Sequence, residues 1–209
     1  RVLTYRISYL MSNMNVYPSQ ILGITFTNKA AKEIKDRVLN ICPTATNMAL
    51  STIHSWCARF LRQFYEYINY PRNFTILDDE DQMNIMKDIF VGHGSNKKDP
   101  QIKECLYWIG SKKTEGFQYK DLQNTKFPNP VMNKYLAYFG EYTETLQKMA
   151  CLDFDDLLLK TIDILRDNEN VRSIYQNKIK HILVDEFQDI NDVQFDLITL
   201  LMGENTSLY

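Results

Sequence analysis

The stretch richest in chemistry in this 209-residue sequence is Ile182-Leu183-Val184-Asp185-Glu186-Phe187-Gln188-Asp189. An apolar run that ends in two adjacent carboxylates has the form of a strand delivering acids to the carboxyl edge of a parallel sheet, where such sheets place their ligands. There Asp185 can hold Mg²⁺ on nucleotide phosphates, Glu186 can polarise an attacking water, and Gln188 can sense the terminal phosphate. A strand that simply ends at a solvated acidic turn competes with this reading, and the added Phe-Gln-Asp weighs against it.

Two further stretches stand where strands pass into helices. In Thr25-Phe26-Thr27-Asn28-Lys29-Ala30-Ala31 the small alanines permit close approach. Hydroxyl and amide side chains beside free helix N–H groups suit a phosphate backbone. Phe26 offers a face on which a base can stack; the competing reading is a capped turn with Phe26 in the core. In Ser51-Thr52-Ile53-His54-Ser55-Trp56 the hydroxyls and His54 can again meet phosphate, although a lone histidine is more often structural. No metal-ligand spacing links His54, His93 and His181 to the cysteines, which argues against zinc.

The elements that must position these residues follow from periodicity. Val2, Leu3, Ile7, Leu10 and Met11 have helical spacing, broken by Pro18. Residues 21–26 and 48–53 read as short buried strands, each followed by a helix (29–39 and 55–67), the first capped by Thr27 or Asn28. Asp78-Asp79-Glu80-Asp81 places four acids at a helix start, where the macrodipole favours them. Residues 82–148 show only helical periods and read as an all-α insertion of three to five helices. A helix over 153–165, a strand over 182–184 and a helix over 192–202 opened by an Asn191/Gln194 capping box complete the chain. Strands alternating with helices predict an α/β fold with a parallel, doubly wound sheet.

Composition narrows the class. With 44% apolar and 24% charged residues the chain is globular rather than disordered, and no apolar run is long enough to span a membrane. Residues 1–150 carry a net charge of +5 and residues 151–209 one of −7, which permits an anionic polymer at one part and a cation at the other. Cys42, Cys57, Cys105 and Cys151 form no CxxC pair and read as buried thiols in a reducing, cytoplasmic compartment.

Together TFTNKAAKEI, STIHSWCARFLR, LDFDDLLL and ILVDEFQDIND resemble motif Ia, motif Ib, the DFxDLL segment and motif II of superfamily-one DNA helicases of the UvrD/Rep/PcrA family. RVLTYRISYLM resembles the helix that follows this family's P-loop, and YWIGSKK at 107–113 resembles a further family segment. The resemblance implies a RecA-like subdomain 1A over residues 1–77 and 150–209, interrupted by a helical subdomain 1B over 78–149. It further implies that Asp185 binds Mg²⁺ of the ATP complex, that Glu186 activates the hydrolytic water and that Gln188 couples the γ-phosphate to DNA. Phe26, Thr27, Asn28, Thr52 and His54 would touch single-stranded DNA near a duplex junction, and Arg1 would lie near the nucleotide. Ser51, Ile53 and Ile190 depart from the residues common in the family.

No GxxxxGK[ST] pattern and no Gly-Lys dipeptide occur among the 209 residues, so the Walker A lysine and hydroxyl are not among them. The pattern is that of an internal piece of an ATP-dependent 3′-to-5′ DNA helicase acting in repair or replication, inactive as an ATPase by itself. Two other readings remain open: the helicase subunit of a recombination helicase–nuclease, and a catalytically silent nucleic-acid-binding module.

Overall fold

The computed structural model describes residues 2–209, so Arg1 and its expected place near the nucleotide lie outside the described residues. The chain divides into two compact units. One runs to Phe60 and resumes at Thr161–Tyr209; the other is Leu61–Lys160.

The first unit is built on a four-stranded parallel sheet whose strands lie in the order Ala49–Thr52, Ile21–Thr25, His181–Val184, Ser207–Leu208. Helix α1 (Val2–Asn13) leads to β1 (Ile21–Thr25), α2 (Asn28–Ile41), β2 (Ala49–Thr52) and α3 (Ile53–Gln63). Strand β1 is buried along its whole length, as expected of a central parallel strand covered on both faces. Ile21 packs with Leu183, with Ile7 and Leu10 of α1, and with Ile34 and Val38 of α2. Side chains alternate along a strand, so Leu22 turns to the opposite face, and its exposure of 1% shows that this face is covered too. A Cβ on Gly23 would press on Leu50 Cδ1 of β2, so glycine lets that side chain fill the space against the strand.

The unexposed side of α3 contributes Trp56 and Phe60, stacked at 5.4 Å and closed by Tyr175.

The second unit contains β3 (Thr75–Ile76), α4 (Asp79–Gly92), α5 (Gln101–Thr114), α6 (Tyr119–Leu122), α7 (Pro130–Lys148) and β4 (Cys151–Leu152). Asp78 caps α4 by accepting from Asp81 N at 2.9 Å, and three acids follow in the first turn, as the sequence predicts. The core packs Phe90, Ile102, Ile109, Phe139 and Tyr142 among others. This compact unit also takes in residues on either side of 78–149. Thr75–Ile76 pairs in parallel with Cys151–Leu152, and the buried Lys113 binds Asp153 at 2.6 Å and Asp156 at 2.8 Å, so both flanks join the helices.

The chain continues through α8 (Phe154–Asp167), α9 (Glu169–Lys178), β5 (His181–Val184), α10 (Asp192–Leu201) and β6 (Ser207–Leu208). Helix α9, β3 and β4 are not foreseen from the sequence pattern. The expected Asn191/Gln194 capping box is present: Gln194 N donates to Asn191 Oδ1 at 2.9 Å. Among the described residues no helix is long and apolar enough to cross a membrane, and all four cysteines are free and buried.

Candidate functional site

Register places the three candidate segments side by side. Ile24 of β1 stands opposite Val184 of β5, and Thr25 opposite Thr52 of β2. All strands run the same way, so the residues that follow β2, β1 and β5 leave the sheet along one edge.

At β5, Asp185 N–H donates to Ile24 O at 2.9 Å, which holds the first acid against the end of β1. Glu186 then takes a left-handed backbone, φ 52° and ψ 51°, and opens a short 3₁₀ turn over Phe187–Asp189. A non-glycine residue in this region is held there by its surroundings. The turn throws the Glu186 carboxylate into solvent, where Gln188 Nε2 donates to it. Asp185, Glu186 and Gln188 are thus gathered in one turn at the sheet edge.

At β1, Phe26 is 44% exposed, which removes the reading of it as a core residue. Thr27 is the N-cap of α2, its Oγ1 accepting from Ala30 N at 3.1 Å, while the buried Thr25 hydroxyl donates to Thr27 O at 3.1 Å. Of the two cap candidates, the structure therefore chooses Thr27, and Asn28 is the first helical residue. At β2, Thr52 Oγ1 donates to Ser55 Oγ at 2.8 Å, and Ser55 Oγ donates to Asn28 Oδ1 at 3.3 Å. This chain of hydrogen bonds ties the two strand ends together. Ser51 is buried and accepts from Arg59 Nη2 at 2.7 Å. His54 is half-buried, and burial lowers its pKa, which favours the neutral ring.

Phe26, Thr52 and His54 line one small cavity of about 60 Å³ together with Ile24, Thr25, Ile53, Ile190 and Gln194. Ile190 and Gln194 were missed as site residues. The capping-box signal marked Gln194 only as a helix start, because its cavity neighbours on β1 and β2 and just after them are 140 or more residues away in the sequence.

The acidic turn suits Mg²⁺ by donor chemistry. Mg²⁺ favours hard carboxylate oxygens and is usually held by one or two of them plus substrate phosphates. Asp185 is half-exposed and makes no side-chain hydrogen bond or ion pair among the described residues. No group of three or more His, Cys, Asp or Glu that could cage a metal occurs among the described residues.

Comparison with known proteins decides the family. The profile of the UvrD/REP helicase N-terminal domain matches residues 1–209. The chain belongs to the UvrD/Rep helicase family. It is 37% identical over 209 residues to the ATP-dependent DNA helicase PcrA of Staphylococcus aureus, covering 100% of this chain and 28% of that protein. It is 40% identical over 205 residues to PcrA of Bacillus subtilis, covering 96% and 27%. PcrA of Staphylococcus epidermidis is 38% identical over 210 residues, covering 100% and 28%. The chain thus spans a little over a quarter of the length of these UvrD/Rep relatives. The family expected from the motifs is the one found, and so is the α/β class with a parallel sheet.

Proposed function

We propose that this chain is part of the motor of an ATP-dependent 3′-to-5′ DNA helicase that unwinds duplex DNA in repair or replication within the cytoplasm. The observation that carries the proposal is the single sheet edge on which the acidic turn of β5 adjoins the Phe26–Asn28 and Thr52–His54 segments. The relatives' shared designation as ATP-dependent DNA helicases supports it.

In this reading Asp185 holds Mg²⁺ on the nucleotide, which supplies charge neutralisation at the phosphates. Glu186 orients the attacking water and takes its proton. Gln188, already bonded to Glu186, reports whether the terminal phosphate is present. Phe26 stacks a base, while Thr27, Asn28, Thr52 and His54 meet the backbone of single-stranded DNA next to a duplex junction. Residues 1–77 and 150–209 act as the RecA-like subdomain and 78–149 as its helical insertion. The 209 residues by themselves hydrolyse no ATP, since no Walker A pattern lies among them.

The test uses the full-length protein that contains this chain, with duplexes carrying either a 3′ or a 5′ single-stranded tail. ATP- and Mg²⁺-dependent unwinding of the 3′-tailed duplex is expected. No unwinding of either duplex, with no DNA-stimulated ATP hydrolysis, would leave the silent binding module as the correct reading.

A further inference from the structure

Around the small cavity at the sheet edge, two hydroxyl protons are already committed. The Thr25 hydroxyl proton is spent on Thr27 O, and that of Thr52 on Ser55 Oγ. Ile24, Ile53, Ile190 and Phe26 are apolar. Gln194 differs: its Oε1 accepts from Asn191 N–H at 3.4 Å in the capping box, while its Nε2 has no partner among the described residues. An amide that is anchored by its oxygen leaves two N–H groups fixed in direction at low entropic cost, because the cap already holds the side chain.

The ligand these donors fit is an acceptor. The cavity is small, about 60 Å³, and opens to solvent at the sheet edge. It accommodates a phosphate oxygen, which is an acceptor with no proton to give. We propose that Gln194 binds a backbone phosphate of single-stranded DNA, as the wall of the groove opposite Phe26, Thr52 and His54. The assignment rests on the reading of this edge as a DNA groove. Helix α10 thereby contributes to the groove alongside the two strand ends, and the contact carries no base preference.

The test is fluorescence anisotropy of labelled dT and dA oligonucleotides with the full-length protein at fixed low salt, run with melting temperatures. Gln194→Glu keeps an acceptor for Asn191 N–H, so the helix start is preserved, but replaces the donors with a carboxylate. It should melt within a few degrees of the parent and bind both oligonucleotides roughly tenfold or more weakly, the range of a lost hydrogen bond to a charged group. Gln194→Ala removes donor and cap acceptor together and should weaken both by about three- to tenfold in the folded protein. Binding of both variants within twofold of the parent would overturn the role of Gln194 and leave the helicase reading standing. A weakening confined to one base type would also overturn it, since a phosphate contact is blind to sequence. A parent that binds neither oligonucleotide would instead remove the groove itself.

Discussion

Thr25 and Thr52 stand directly opposite each other in the parallel β1–β2 pair, so Phe26 and Ile53 leave the sheet at the same level. That alignment sets Phe26 and His54 around one cavity although they are separated by a helix and a strand.

Phe26→Ala should separate binding from stability. With the ring 44% exposed, little burial is lost on truncation. The melting temperature should fall far less than for a core phenylalanine, whose removal costs about 3–5 kcal/mol. Affinity of the full-length protein for single-stranded DNA should fall by about 1–3 kcal/mol, the range for one stacked base. Calorimetry and anisotropy on the same preparation decide it; a large loss of stability with unchanged affinity of the folded fraction would return Phe26 to the core.

Glu186→Gln in the full-length protein should lower ATP turnover by about 10²–10⁴-fold, the usual loss for a positioned base, while nucleotide binding persists because Asp185 stays. Steady-state hydrolysis and equilibrium binding of a fluorescent nucleotide measure the two separately. Turnover within twofold of the parent would show that Glu186 is not the base.

Lys113→Met should be severely destabilising. The ammonium lies between Asp153 and Asp156 with side-chain exposures of 3% for Lys113, 4% for Asp153 and 14% for Asp156. Burial alone pushes the lysine pKa down, but the two carboxylates outweigh it and the net shift is upward, so the charge persists. Removing the cation strands two carboxylates in the interior, a loss of about 3–5 kcal/mol by urea unfolding. Adding Asp153→Asn and Asp156→Asn should restore much of it. If the single variant unfolds at the same urea concentration as the parent, the cluster contributes nothing.

Asp155 provides a pH test. Burial, with Asp153 beside it, pushes its pKa up to about 6. Between the ordinary carboxylate range and pH 6 the folded chain therefore binds a proton that the unfolded chain has lost. Stability from this group is present at pH 4 and is lost as pH rises through 6. Asp155→Asn should therefore stabilise by about 2 kcal/mol at pH 7 and change little at pH 4. Equal effects at both pH values would show an unshifted carboxyl.

Local order was legible in the sequence where a residue's role depends on near neighbours. Thr27, Asp78 and Asn191 cap helices that their own sequence contexts announce, and the β-branched runs at 21–26 and 182–184 form strands. The pairing of Thr75–Ile76 with Cys151–Leu152 was not legible, because a two-residue strand has no period to detect and its partner lies across the insertion. The Lys113–Asp153 pair, 40 residues apart, looks, residue by residue, like ordinary surface charge. Gln194 was visible as a cap but not as part of a cavity, since parallel strands bring its neighbours to it only once the sheet has formed.

The left-handed backbone of Glu186 sets two selection pressures against each other. Holding a side chain with a Cβ at φ 52° costs about 1–3 kcal/mol, and glycine would relieve that cost. A screen that rewards only heat resistance should therefore accumulate Glu186→Gly, whereas a screen that rewards turnover should purge it. On the proposed role of Glu186, the chain would keep a less stable residue for the sake of its carboxylate, and its tolerance to glycine under each regime would measure the stability given up for it.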